Sequence, residues 1–392
     1  MVGEFHPPAR LLMGAGPSNV DPRVLLAMAK PLLGHLDPEF IRIMTHLQDL
    51  LRQVFATKNS LTLPISGTGS AGMEAAFVNV VEPGERVLVC VNGFFGERLA
   101  EVAERCGARL RTLSAPWGEA FAPEAIQKEL RSFQPKVLAI VHAETSTGVL
   151  QPLEELPAIL KNYPDTLLLV DTVTSLGGHP VKVDEWGVDI CYSGTQKCLS
   201  SPPGLAPITF SPKAVDTIKK RSQRGQSFYF DMNLLGKYWG SERAYHHTAP
   251  ISMNYALLEA LRILNEEGLA PRHERHRRNH KALVQGIEAM GLSMLVPEPY
   301  RVWSLNTIRI PEGIDDARLR KTLLEKYNLE ISGGLGALKG KIWRVGLMGY
   351  GSSEVNVLFF LTALEQALRE QHFEVPRGAG ATAARDSFSQ EK

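Results

Sequence analysis

Between residues 60 and 210 the sequence alternates short, almost wholly apolar runs with segments of helical periodicity. Arg86–Val91, Val137–His142, Thr166–Asp171, Ile190–Ser193 and Pro207–Phe210 have the length and β-branched content of strands. Gly72–Val81 and Gly96–Cys106 carry helical patterns between them. A strand that is apolar on both sides must be covered on both sides, and helical connections let successive strands run parallel. The predicted fold class is therefore α/β, a mostly parallel sheet covered by helices. In such sheets functional residues gather beyond the carboxyl ends of the strands. The residues that follow each apolar run are the ones to read closely.

The remainder of the chain reads differently. Tyr255–Glu267 and Arg272–Met290 are helical, and Leu305–Gln371 mixes strands such as Ile342–Leu347 with helices at Asp316–Tyr327 and Glu354–Gln371. The expected organisation is a segment at 1–22 that packs across domains or subunits, a large domain at 23–280 and a smaller α+β domain at 281–375. The stretch 376–392, rich in Gly, Ala and Ser, is expected to be a disordered tail.

Composition narrows the function classes. The 392 residues exceed the span of about 100–200 that one domain usually takes, and 44% hydrophobic with 22% charged residues is globular. Net charge is +1, which provides no field for nucleic acid or an anionic membrane. The basic run Arg272–Arg278 reads as a solvated helix face. The four cysteines form no C-x-x-C pair, which suits a reducing compartment. No run approaches the ~20 apolar residues of a membrane helix. The start lacks a secretory signal pattern and the end is no peroxisomal Ser-Lys-Leu address, so the cytoplasm is the expected location.

Three segments carry chemistry together. In Ser66-Gly67-Thr68-Gly69-Ser70-Ala71-Gly72 a loop of glycines and hydroxyls enters a helix, whose N-terminal N–H groups and dipole favour an anion. Capping of the helix by Thr or Ser is the plainer use of the same residues. The loop is neither a Walker loop nor a dinucleotide fingerprint, so a nucleotide is disfavoured. The apolar run Thr166–Val170 ends in Asp171, which sets a carboxylate at the sheet edge. That acid is either an N-cap or the partner of a protonated ring nitrogen. Ile190–Ser193 leads through a polar turn to Lys197, which should share Asp171's edge of the sheet. There a lysine can lose its proton readily and form a Schiff base.

The motifs S-G-T-G-S-A-G-M-E-A, H-A-E-T-S-T-G, V-D-T-V-T-S-L-G-G and Y-S-G-T-Q-K resemble the fold-type I, class V aminotransferases. The likeness is nearest to the alanine–glyoxylate and serine–glyoxylate (serine–pyruvate) group, and Y-W-G-S-E-R-A-Y-H-H-T-A-P at Tyr238–Pro250 is especially similar to it. The resemblance extends from Met13–Asn19 to Trp343–Gly349. It implies pyridoxal 5'-phosphate as cofactor, with Lys197 carrying it and Asp171 pairing with its ring nitrogen. Thr68, Gly69, Ser70 and Gln196 would hold the phosphate, Phe95 and Val173 would lie against the ring, and Thr145 would sit near the phenolic oxygen. Tyr245 and Thr248 would reach the cofactor of a partner subunit, so a homodimer would share its active sites. Gly16, Thr145 and Arg344 would meet the substrate, Arg344 by clamping its carboxylate. The implied reaction is ping-pong transfer from alanine or serine to glyoxylate, giving glycine and a 2-oxo acid.

Two positions depart from the pattern. Phe95 stands where relatives often place Trp, and Ser70 where some have His; both leave the donor open. One alternative is a ureidoglycine–glyoxylate aminotransferase, whose relatives share segments like Gly34-His35-Leu36-Asp37-Pro38 and Val183-Asp184-Glu185-Trp186. A desulfurase-like lyase would need a cysteine in the small domain, yet all four precede residue 199. A non-catalytic binding protein of the same fold would have no need to keep Lys197, Asp171 and Arg344 together.

Overall fold

A computed structural model describes residues 6–390. Met1–Phe5, the part of the N-terminal segment in which a signal pattern was sought, lie outside the described residues, as do the last two. Seven strands form the main sheet: β1 (Leu61–Ser66), β2 (Arg86–Val91), β3 (Arg109–Ser114), β4 (Val137–Val141), β5 (Leu167–Asp171), β6 (Ile190–Tyr192) and β7 (Leu205–Phe210). Their spatial order is β1-β7-β6-β5-β4-β2-β3, and only β7 runs antiparallel to its neighbours. The apolar runs read as strands are strands for the expected reason. Every residue of β4 and β5 is buried, because helices cover both faces of the sheet. The edge strand β3 (Arg-Leu-Arg-Thr-Leu-Ser) was not anticipated. It is half exposed, so it lacks the continuous apolar signal of the central strands.

The covering helices include α1 (Pro38–Phe55), α2 (Gly69–Val80), α3 (Phe94–Arg105) and α4 (Pro123–Phe133). Asp37 caps α1 by accepting from the Glu39 N–H, with Pro38 at the first helical position. Farther on come α5 (Ile251–Glu267) and α6 (Leu269–Ala289). Three strands, β8 (Leu305–Arg309), β9 (Ser332–Gly333) and β10 (Ile342–Gly346), form a second sheet in the order β8-β10-β9. It packs with α7 (Asp316–Tyr327), α8 (Glu354–Arg369) and α9 (Ala379–Gln390).

Apolar side chains gather into two principal cores, one around the main sheet and one around Trp343, Phe360 and Phe388. The boundary expected at 280/281 falls inside α6. Its later turns place Ala282, Leu283 and Ile287 in the second core, while Arg272 bonds the carbonyls of Gly177 and Cys198 in the large unit. The N-terminal segment links the two units. Leu11–Leu12 pairs with Leu329–Glu330, and Ser18 then donates to the carbonyls of Gln196 and Lys197.

The tail is a correction. Residues 379–390 form α9, which buries Ala384 and Phe388 against α6 and α8. Its small residues permit close helix contact: a Cβ on Gly380 would come within 3.0 Å of Met290 Sδ, and one on Gly286 within 2.8 Å of the Gly380 carbonyl. Glycine and alanine serve here as packing spacers, which composition cannot distinguish from disorder.

Candidate active site

The β5 and β6 strands run parallel, and their register pairs Asp171 with Tyr192. Both side chains stand at the carboxyl edge of the sheet. Tyr192 Oη donates to Asp171 Oδ2 at 2.6 Å, and the Val173 N–H donates to Oδ1 at 2.8 Å. Burial pushes the Asp171 carboxyl up to about 6, against the pull of these two hydrogen bonds. It is therefore ionised at neutral pH but supported only by neutral donors, with acceptor capacity left over.

The turn after β6 brings Lys197 to the same place, as the spacing suggested. Its side chain is buried and its ammonium donates to the Ala15 carbonyl. Burial, reinforced by the charge of Arg344, pulls Lys197 down to about 8. About one molecule in ten then carries a neutral amine at pH 7, against about one in three thousand for an ordinary lysine. Gly16 faces this amine with φ +104°, and a Cβ there would lie 2.5 Å from Lys197 Nζ. Only glycine fits both the backbone conformation and the space.

Arg344 enters from the second sheet. It lies on β10, where its Nε donates to the Gly333 carbonyl at 2.8 Å and one terminal nitrogen to the Thr145 carbonyl at 3.2 Å. Burial lowers it to about 10, with Glu144 opposing the shift, so the guanidinium stays charged. It has donors left for a carboxylate, and its charge lies close enough to Lys197 to lower that lysine's pKa. Thr145 is buried, and its hydroxyl bonds that of Thr174.

The anion loop lies at the other end. Thr68 is the N-cap of α2 yet makes no side-chain capping bond, so the plainer reading of its hydroxyl does not hold. The N–H groups of Gly69 and Ser70 precede the first helical hydrogen bond, while that of Ala71 donates to the Thr68 carbonyl at 2.8 Å. Gly69 opens the helix and packs close to Val173, since a Cβ there would lie 3.0 Å from Val173 Cγ2. Gln196 Oε1 is buried without a hydrogen-bond partner, an uncommon cost for a side chain that has no role. Thr68 and Ser70 are exposed. Phe95, on α3, is half buried and meets Phe94 edge-on at 5.7 Å.

Tyr245 and Thr248 do not join this group within one protomer. Both are exposed, and the Tyr245 ring lies 4.9 Å from that of His35.

Sequence reasoning missed two residues. Tyr192 orients Asp171, and its signal was the register of two adjacent strands that end together. Glu144, inside the H-A-E-T-S-T-G motif, is fully buried. One of its oxygens accepts from Ser146 N–H and Oγ, the other from the N–H groups of Phe95 and Gly96 at 3.1 Å. Ser146 Oγ in turn accepts from the Phe94 N–H. Glu144 and Ser146 thus cap α3 from another strand, since its own N-cap, Gly93, has no side chain. A Cβ on Gly93 would run into both of them.

These residues fit pyridoxal phosphate. A helix N-terminus with solvent-facing hydroxyls suits a phosphate, a buried carboxylate suits a ring nitrogen, and a lysine of lowered pKa suits an aldehyde. Among the described residues no cluster that could hold a metal ion occurs, and no helix is long and apolar enough to cross a membrane.

Comparison with known proteins agrees with the geometry. The family profile of the class V aminotransferases matches residues 10–352. The chain is 42% identical to the (S)-ureidoglycine–glyoxylate transaminase of Bacillus subtilis, over 98% of this chain and 97% of that one. It is 41% identical to the alanine–glyoxylate aminotransferase of Drosophila melanogaster, over 93% and 94% of the two chains. The crystal structure of an alanine–glyoxylate aminotransferase from Nostoc sp. superposes with a TM-score of 0.93 at 50% identity, covering 94% of this chain and 98% of the other.

Proposed function

The chain belongs to the class V aminotransferases, and from that premise we propose that it moves the amino group of alanine or serine onto glyoxylate. The products are glycine and pyruvate or hydroxypyruvate. The enzyme is a pyridoxal-phosphate-dependent aminotransferase of the fold-type I, α/β architecture. The observation that supports the substrate reading is that Asp171 and Arg344, both buried, each act electrostatically on the buried Lys197. A nucleophilic amine, a carboxylate for a ring nitrogen and a clamp for one carboxylate are what a small α-amino acid and a small 2-oxo acid require.

Pyridoxal phosphate, when bound, supplies an aldehyde to receive the amino group and a ring that spreads the charge of a carbanion. The chain's own residues do the rest. Thr68, Gly69, Ser70 and Gln196 would hold the phosphate, Phe95 and Val173 would lie against the ring, and Thr145 would sit near its phenolic oxygen. Asp171 keeps the ring nitrogen protonated. Tyr192 and the Val173 N–H hold that carboxylate in orientation and keep it ionised. Arg344 grips the substrate carboxylate with two parallel donors, which fixes the α-hydrogen toward Lys197. Lys197 Nζ, neutral once displaced, accepts the α-proton and returns it on the other side of the reaction. Release of the first 2-oxo acid before the second binds makes the kinetics ping-pong.

Tyr245 and Thr248 complete the phosphate site of a partner protomer, so the working unit is a homodimer. Their exposure in a single chain supports this reading. Four unpaired cysteines support a cytoplasmic location.

The second reading is ureidoglycine as donor, which the likeness to the Bacillus subtilis transaminase over nearly the whole chain favours. A matrix of purified enzyme against alanine, serine and ureidoglycine, each with glyoxylate and pyruvate, decides between them. Alanine or serine with glyoxylate should give the highest kcat/KM. A strong preference for ureidoglycine would replace the first reading with the second.

A further inference from the structure

Arg98 lies on α3, one turn beyond Phe95, and its position is unexplained by the roles given above. Its Nη1 is 3.3 Å from Ser70 Oγ, on the loop that opens α2. The guanidinium carbon stands 5.0 Å from the Phe94 ring centroid and 5.1 Å from that of Phe95. Two aromatic faces therefore hold the cation in place. Among the described residues it makes no ion pair. Glu101, one turn on along α3, is paired with Arg105 at 2.6 Å. A cation close to a helix N-terminus opposes the helix dipole, so an unpaired arginine here is a local electrostatic cost.

A phosphate monoester brings about −1.5 to −2 charges at neutral pH. The N-terminus of α2 offers roughly half a positive charge against it. The N-terminus of α3 offers nothing, because Ser146 and Glu144 already occupy its first three N–H groups. Thr68, Ser70, Tyr245 and Thr248 are neutral hydroxyls. The loop as assigned is short of positive charge, and Arg98 is the unpaired cation in contact with it.

We propose that Arg98 is a further cofactor-binding residue, which supplies the full positive charge on the phosphate through the open side of the Thr68–Ser70 loop. The proposal rests on the reading of that loop as the phosphate site. Phe94 and Phe95 orient the guanidinium, and the Ser70 hydroxyl marks where the anion meets it.

The test is reconstitution of apoprotein with pyridoxal phosphate and, separately, with pyridoxal, which lacks the phosphate. Arg98→Gln should weaken pyridoxal phosphate by about 10- to 100-fold, as expected for a charge-assisted hydrogen bond, and leave pyridoxal unchanged. The inhibition constant of inorganic phosphate, corrected for the cofactor's own affinity, should rise by the same factor in the variant, and Arg98→Lys should recover part of the loss. Equal losses for both ligands, or no loss for either, would overturn the proposal while the loop reading stands. Wild-type apoprotein that binds pyridoxal phosphate no more tightly than pyridoxal would remove the loop reading and Arg98's role with it.

Discussion

The two ends of the site are built differently. Lys197, Asp171, Thr145 and Arg344 find their hydrogen-bond partners within the same chain. All four side chains are buried, and each has named partners from at least one other segment. Around Thr68 and Ser70 the loop is open, Gln196 Oε1 has no partner, and the hydroxyls nearest in sequence reasoning, Tyr245 and Thr248, lie exposed elsewhere. At the buried end, low dielectric shifts the pKa values of Asp171 and Lys197. The open end needs only to gather an anion, which screened charges and backbone dipoles can do near solvent. On the proposed reading, the chemistry is fixed within one protomer and the phosphate site is completed by a partner's Tyr245 and Thr248.

The largest effect should come from the buried end. Lys197→Ala should abolish the near-visible absorbance of covalently held cofactor and lower transamination by at least about 1,000-fold, as loss of a combined nucleophile and base implies. Asp171→Asn should cost about 100- to 1,000-fold in kcat, since a neutral amide no longer stabilises a ring cation. The same carboxylate sets a pH limit. Its value is raised to about 6 by burial, so it is neutral below that pH and ionised above it. Lys197 works in the opposite sense, being charged below about 8 and reactive above it. The rate at which apoprotein takes up cofactor should therefore rise with pH through both values and level off above about 8. A rate that kept climbing about tenfold per unit past pH 9 would show that Lys197 keeps an ordinary lysine value.

The same contrast explains what the sequence revealed. The β4 and β5 strands and the turn to Lys197 were legible because a doubly covered strand is apolar throughout and a polar residue at its end stands out. Asp171 and Lys197 stood out as candidates from that pattern, and the resemblance gave them their roles. Arg344 did not: it lies on a five-residue strand of the second sheet and reaches the site through tertiary packing, so only the resemblance pointed to it. Glu144 and Tyr192 were passed over because their partners, α3 and β5, are distant in sequence or depend on register. Residues 379–390 misled because alanine, glycine and serine look alike in a tight helix contact and in a loose tail.

Arg344 sharpens the comparison at middle strength. Arg344→Lys keeps the charge but loses the planar pair of donors and the bonds to Gly333 and Thr145. KM for both amino acid and 2-oxo acid should rise about 10- to 100-fold, with a smaller fall in kcat. A change in kcat alone would place Arg344 in support of Lys197 and away from the substrate.

The smallest effect belongs to the open end. Tyr245→Phe with Thr248→Ala removes two neutral hydroxyls from a solvent-facing phosphate site, where each hydrogen bond is worth about 1 kcal/mol. Cofactor affinity should fall about 5- to 30-fold, and kcat at saturating cofactor should hardly change. The subunit of origin can then be read by mixing. In a dimer made from this double variant and Lys197→Ala, the lysine-bearing site belongs to the double variant, while intact Tyr245 and Thr248 come from the other chain. If the hydroxyls act across the interface, about half of the lysine-bearing sites in a random mixture should regain wild-type affinity. If they act within their own chain, mixing restores nothing. The open end would then be closed by movement of its own loop, and the division between a self-sufficient chemical centre and a shared anchoring site would fail.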